Sequence, residues 1–347
     1  MSNKSVGIRD VAAAAGVSVT TVSHVLNNTV YARVGAETRE RVREAAQRLG
    51  YGPNRMAQAL RTQRSGMLGF ISEEIATTPH AGRIILGAEE TARRRGYNLM
   101  IINTSSTATY ESRTADIAAL LERQVDGVLY ATMYHRQIAV PDNLNVIPAI
   151  LVDSEDTNHS ISSVIPDETG GATAAVRTLI EAGHQRIGMI NNTDDVPATH
   201  SRLRAFKDTL SDAGLTFHAD LVEAEPSEVP GGYQAALRLL ARKDRPTAVF
   251  CYNDRMAMGA YRAATELGLK IPRDLSVVGF DNQELIAENL YPALTTVSLP
   301  HYEMGAWATE NLIDAIEGKT DLGLFAVHPT LLACPLVIRN SVAPPAS

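Results

Sequence analysis

The residues of this chain whose types and spacing best support chemistry sit near its start. Ser18, Val19, Thr20 and Thr21, followed by Ser23, His24 and Asn27, are short polar side chains interleaved with the apolar Val22, Val25 and Leu26. Thr20 can donate or accept at a base edge, Val19 can meet a thymine methyl group, and His24 can bond a guanine or a phosphate. Ser23 and Asn27 suit phosphate contacts, which set orientation rather than sequence preference. Taken alone, the pattern also describes an ordinary solvated helix. Bond-making chemistry is absent from the sequence: there is no phosphate-binding glycine loop, no nucleophile elbow and no carboxylate pair in a catalytic context. The two cysteines, Cys251 and Cys334, give neither a metal spacing nor a disulfide framework. The expectation is a binding protein rather than an enzyme, with no metal and no cofactor.

The polar row needs helices to hold it. Ile8, Val11, Ala12 and Ala15 recur at helical spacing until Gly16 stops the run. Ser18 then caps a second helix whose inner face is Val22, Val25 and Leu26. A third helix fits residues 36–49, with Gly50 just past its end and Pro53 beyond. Three short helices with a tight glycine turn between the first two describe a helix-turn-helix bundle, whose second helix offers its N-terminal residues to the major groove. Charge supports this. Residues 1–64 hold ten Lys/Arg against four Asp/Glu, while the whole 347-residue chain carries a net charge of −7. A basic head on an acidic body is the footprint of a phosphate-binding module, although a solvated arginine-rich helix has the same charge.

From residue 66 the pattern becomes alternating strands and helices. Apolar strand segments fall at 67–71, 98–103, 127–131, 149–152, 186–190, 248–252, 275–280 and 296–299. Helical segments fall at 84–95, 115–123, 170–182, 202–213, 232–241, 255–267 and 302–317. Such alternation specifies parallel sheets flanked by helices. The strands are too many for one ordinary sheet, so two lobes are expected, with a ligand in the cleft beyond the strands' carboxyl ends. Apolar residues at 45% and charged residues at 20% fit a soluble protein with a sizeable core. No apolar run reaches the length of a membrane span, and residues 1–10 lack the apolar core of a secretory signal, so a cytoplasmic protein without membrane contact is expected.

Several segments resemble one family. Residues 8–27 and 37–54, including Thr20-Thr-Val-Ser-His24, are similar to the N-terminal signature of the LacI/PurR (GalR) family of bacterial transcription regulators. Residues 246–260, 271–281 and 292–297 resemble blocks of that family's ligand-binding domain, in the family's order, so the resemblance covers the whole chain. It implies an N-terminal all-α helix-turn-helix head (1–52), a hinge helix and linker (53–65), a two-lobed periplasmic-binding-protein-like α/β sensor that also dimerises (66–342), and a short tail (343–347). It further implies a repressor that binds double-stranded DNA at a palindromic operator as a homodimer, under control of a small polar effector.

The resemblance also assigns residues. In the hinge it places Leu60 as a wedge that unstacks a base step in the minor groove, a cost repaid by contacts along bent DNA. Ala57 is small enough for close approach there, and Arg55 and Arg61 reach phosphates. Asp153, Arg202, Asn253 and Asp281 match positions that hold ligand in sugar-binding members. Carboxylates accept from hydroxyls while Arg and Asn donate to oxygens, which suits a sugar or polyol. Residues 77–83 match a first-lobe loop that touches ligand, often through aromatic side chains. His80 and Ala81 stand there instead, and Arg83 stands where an acid is common and would admit an anionic group. His200 and Ser227 are further wall residues, and Trp307 is expected to pack rather than to stack on a sugar. The loop at 28–35 is longer than the family's, and Gly35 replaces a capping serine. A solute-binding protein for uptake shares the two-lobed fold, but the basic head argues against it.

Overall fold

The computed structural model describes residues 6–26, 33–51, 64–78, 81–105, 107–325 and 328–346. Two compact units, Met1–Gly66 and Met67–Ser347, divide the chain. Among the described residues no helix is long and apolar enough to cross a membrane.

The first unit holds α1 (Ile8–Ala15), α2 (Val19–Leu26) and α3 (Ala36–Arg48). The Gly7 N–H donates to Asp10 Oδ2 at 2.8 Å, which starts α1. Gly16 ends it in the left-handed region at φ 65°, where a side chain would be strained. Ser18 Oγ accepts from the Thr21 N–H at 3.1 Å, the expected cap of α2. The core is Val11, Ala12, Ala15, Val22, Val25, Val42, Ala45 and Ala46. Arg41 Nε donates to the Ala15 carbonyl at 3.0 Å and so ties α3 to the exposed carbonyl end of α1.

The second unit is two lobes built on one plan. The first-lobe sheet has the order β11-β5-β4-β3-β1-β2. Its strands are β1 (Met67–Glu73), β2 (Asn98–Thr104), β3 (Gly127–Ile138), β4 (Ala149–Asp156), β5 (Ser162–Pro166) and β11 (Thr330–Leu332). On one face lie α4 (Gly82–Arg94) and α10 (His301–Ile316), and on the other α5 (Tyr110–Leu121). The second-lobe sheet has the order β12-β10-β9-β8-β6-β7. It comprises β6 (Ile187–Asn192), β7 (Val222–Glu225), β8 (Ala248–Cys251), β9 (Ser276–Asp281), β10 (Thr295–Ser298) and β12 (Leu336–Val337). Here α6 (Glu168–Glu181) and α7 (Pro197–Asp212) cover one face, and α8 (Val229–Leu240) and α9 (Asp254–Glu266) the other. Both sheets reverse winding beside their first strand, the switch point where open α/β sheets bind ligands.

The chain passes between lobes after Pro166, after Leu299 and at residues 333–335. These three links are stitched side by side: the Asp167 N–H donates to the Leu332 carbonyl and the Ser298 N–H to the Pro335 carbonyl, both at 2.8 Å. Two features differ from the sequence-based expectation. The short strands β5, β7, β11 and β12 carry no isolated apolar run to mark them. Strand β3 continues past residue 131 through a bulge between Ala131 and Arg136. That bulge aims Met133, Tyr134 and His135 at the interlobe cleft.

Candidate DNA-reading helix and ligand cleft

Burial of Val22 and Val25 turns the opposite side of α2 outward. Ser18, Val19 (41% exposed) and Thr20 are exposed, and Thr21, Ser23 and His24 are half-buried. Val19 and Thr20 with Ser23 and His24 thus form one continuous outer row, one helical turn apart. Thr21 has a local task, since its hydroxyl lies 2.9 Å from Ser18 Oγ at the cap. Asn27, Arg55, Ala57, Leu60 and Arg61 lie outside the described residues, as does His80.

In the sensor, an inner cavity of about 310 Å3 opens between the carboxyl ends of the two sheets. Asp153 comes from β4 of the first lobe, and Asp281 ends β9 of the second. Both hold positive φ, 58° and 101°, which turns each carboxylate out of its strand. Asp281 Oδ2 accepts from Gln283 Nε2 at 2.9 Å. Asp153 is 3% exposed, and its Oδ1 is buried with no hydrogen-bond partner among the described residues. Burial pushes the Asp153 carboxyl up to about 7, with His135 opposing and Glu168 adding to the rise.

Arg202 projects from α7 and is nearly enclosed. Its Nε donates to Glu168 Oε2 at 2.6 Å, its Nη2 to Glu168 Oε1 at 3.1 Å, and its Nη1 to the Tyr252 carbonyl. The guanidinium lies 3.6 Å from the Phe280 ring centroid and 4.5 Å from that of Tyr252. Asp281 Oδ1 is 3.9 Å away. Burial alone would lower the Arg202 pKa, but the Glu168 carboxylate and Tyr252 outweigh it, and the group is held protonated. His135, also on the cavity wall, bonds Glu155 at 2.9 Å through Nε2. Burial lowers its pKa, yet the Glu155 hydrogen bond and the Asp153 charge leave it above the usual histidine value.

Other expected residues take different places. Ser227 lines the inner cavity, and its carbonyl accepts from Asn253 Nδ2 at 3.0 Å and Arg255 Nε at 3.2 Å. Asn253 reaches the wall, but it caps α9: its Oδ1 accepts from the Met256 N–H at 2.8 Å, so one end of the amide holds the helix and the other holds Ser227. Asn253 thus stands at the cavity wall, as expected, with both ends of its amide also engaged in local structure. The expectation for His200 is corrected. It is 60% exposed, pairs with Asp195 at 2.6 Å and lines neither cavity described here. Arg83 lines a contiguous outer cavity of about 560 Å3, where it meets Glu284 of the other lobe at 2.6 Å, so its charge is already matched. Trp307 packs against the first-lobe core. Sequence reasoning missed Glu168, His135, Tyr134 and Tyr252. Glu168, at the start of a helix and beside a capping Asp167, was readable as a polar helix start but not as the partner of Arg202.

Comparison with known proteins adds the decisive observation. Residues 7–54 match the family described as bacterial regulatory proteins, lacI family, and residues 176–342 match the periplasmic binding protein-like domain. Over 338 residues the chain is 34% identical to the HTH-type transcriptional repressor PurR of Vibrio vulnificus, covering 96% of this chain and 98% of that protein. The chain belongs to the lacI family of bacterial regulatory proteins. It is a DNA-binding transcriptional repressor of that family, and not an enzyme. Solved lacI-family structures agree in fold. The Lac repressor dimer bound to operator and the anti-inducer ONPF is 28% identical, with a TM-score of 0.76 over 98% of this chain and 100% of that one. The regulator CelR in complex with cellobiose is 28% identical, with a TM-score of 0.66 over 97% and 99%.

Proposed function

We propose that this lacI-family repressor binds a palindromic operator as a homodimer, reads bases with the outer row of α2, and has its operator affinity set by a polyhydroxylated effector in the inner cavity. The observation that carries the reading is convergence. Asp153 from one lobe and Arg202 and Asp281 from the other face a single cavity of about 310 Å3. That size lies at the lower end of the range for small-molecule sites, about 300–1,000 Å3. Hydroxyl groups match walls rich in carboxylate acceptors. The complex of CelR with cellobiose, a relative over 97% of this chain, supports a sugar-like ligand. The hinge assignments of Arg55, Ala57, Leu60 and Arg61, and the domain limits at 52, 65 and 342, belong to the same reading.

A thermal-shift screen of the full-length protein against sugars, polyols and nucleobases tests it, because a ligand of the folded state raises Tm. A polyol that raises Tm is expected to change operator affinity about 5–150-fold, the usual range of coupling between sites. Asp281→Asn keeps the positive-φ backbone comfortable and should bind operator as the parent does, without responding to that ligand. An undiminished response in Asp281→Asn, or stabilisation by nucleobases alone, overturns the assignment.

A further inference from the structure

We infer that the effector carries a protonated amino group, held by Asp153 and facing Asp281 across the cleft. The inference rests on the cleft reading above and narrows its ligand from polyols in general to hydroxylated amines. Its basis is how the charges of the cavity are already matched. Five carboxylates (Asp153, Glu168, Asp194, Glu228 and Asp281) and two guanidinium groups line the inner cavity. Glu168 takes two N–H groups of Arg202, and the Tyr252 carbonyl takes a third. Arg255 lies 3.4 Å from Glu228 and gives its Nε to the Ser227 carbonyl. His135 spends its Nε2 on Glu155, which does not line the cavity. The two guanidinium groups are therefore committed and Asp281 is held by Gln283 and lies beside Arg202, while Asp153 and Asp194 still face the space.

A second observation is independent of that tally. Asp153 is 97% buried by its 3% exposure, and its Oδ1 lacks any partner among the described residues. A buried polar atom without a partner is costly, and a charged one more so, unless an incoming group supplies what is missing. An alcohol offers one neutral donor. An ammonium offers three donors and a full positive charge, and charge-assisted bonds are roughly twice as strong as neutral ones. Burial pushes the carboxyl of Asp153 up to about 7, and the neighbouring His135 offsets only part of that rise. An anionic ligand would meet the Asp153 and Asp194 carboxylates, with both guanidinium groups of the described wall already held.

Matched pairs of probes test the inference on the full-length protein at neutral pH: D-glucosamine with D-glucose, D-galactosamine with D-galactose, and 1-amino-1-deoxy-D-sorbitol with D-sorbitol. For at least one pair the amine is expected to raise Tm with a half-maximal concentration about tenfold lower than its parent, the difference between a charged and a neutral hydrogen bond. Asp153→Asn should erase that preference. Glu168→Gln, which leaves the Arg202 charge unneutralised beside the cavity, should weaken the amine and spare the parent. If parents match or exceed amines in every pair, the inference falls. In that case a response still lost in Asp281→Asn leaves the cleft reading standing. Preference for an amine that survives Asp153→Asn also overturns it, as does silence from all six probes.

Discussion

At the scale of single residues, Thr20 and His24 carry the prediction for the head. Both belong to the outer row of α2, and neither contributes to the buried face. Thr20→Ala and His24→Ala should each leave the fold intact and cost about 1–3 kcal/mol at the base pair contacted. Competition between operator and scrambled DNA measures this, and unchanged preference would remove the residue from the reading face. The types of these residues were legible because a helix with one apolar stripe has only one other side to show. Cleft residues were legible by type and by position at strand ends. Their tasks were not. Asn253 turned out to serve a helix cap, and Arg202 is committed to Glu168, 34 positions earlier. Which polar atoms remain for a ligand depends on three-dimensional partners that local pattern does not encode.

Among elements, the contact of α10 with α4 decides how the first lobe is closed. A Cβ on Gly305 would lie 2.0 Å from the Ile84 carbonyl oxygen, and one on Gly87 would lie 2.0 Å from that of Tyr302. The two helices therefore touch backbone to backbone through reciprocal glycines. Gly305→Ala forces them apart, and overpacking of this kind costs about 1–3 kcal/mol. A lowered Tm with wild-type secondary structure is expected, and an unchanged Tm would show that the helices slide without penalty. Each helix was readable from its own periodicity. Their pairing was not, because more than two hundred residues separate them and the glycines mark no turn. The edge strands were hidden for a related reason: a strand such as β12, two residues long, is defined by its neighbour and not by its own composition.

At the scale of the molecule, the basic head and acidic body predict operator binding that weakens steeply with salt, as phosphate contacts release counterions. The sensor predicts an unusual pH response. Asp153 titrates at about 7 in the folded protein and at its ordinary 3.8 when unfolded. Between those values the folded state keeps a proton that the unfolded state has lost. Its contribution to stability is therefore present at acid pH and is lost as pH rises through the window, opposite to a salt-bridged carboxylate. Melting curves from pH 4 to about 7 should show the parent losing ground to Asp153→Asn as pH rises, and parallel curves would contradict the assignment. Asp254, raised to about 8 mainly by burial, acts in the same direction in both proteins. The three stitched links between the lobes have a mechanical consequence. Ribbons joined edge to edge behave like the knuckles of a door hinge: they let the leaves swing and resist sliding or twisting. Closure then has a single coordinate, an angle. A molecule between the leaves acts as a doorstop, and its bulk sets where the swing ends. On the proposed reading, two compounds that occupy the same space with similar strength can therefore send opposite signals, because the output would follow the stopping angle and not occupancy.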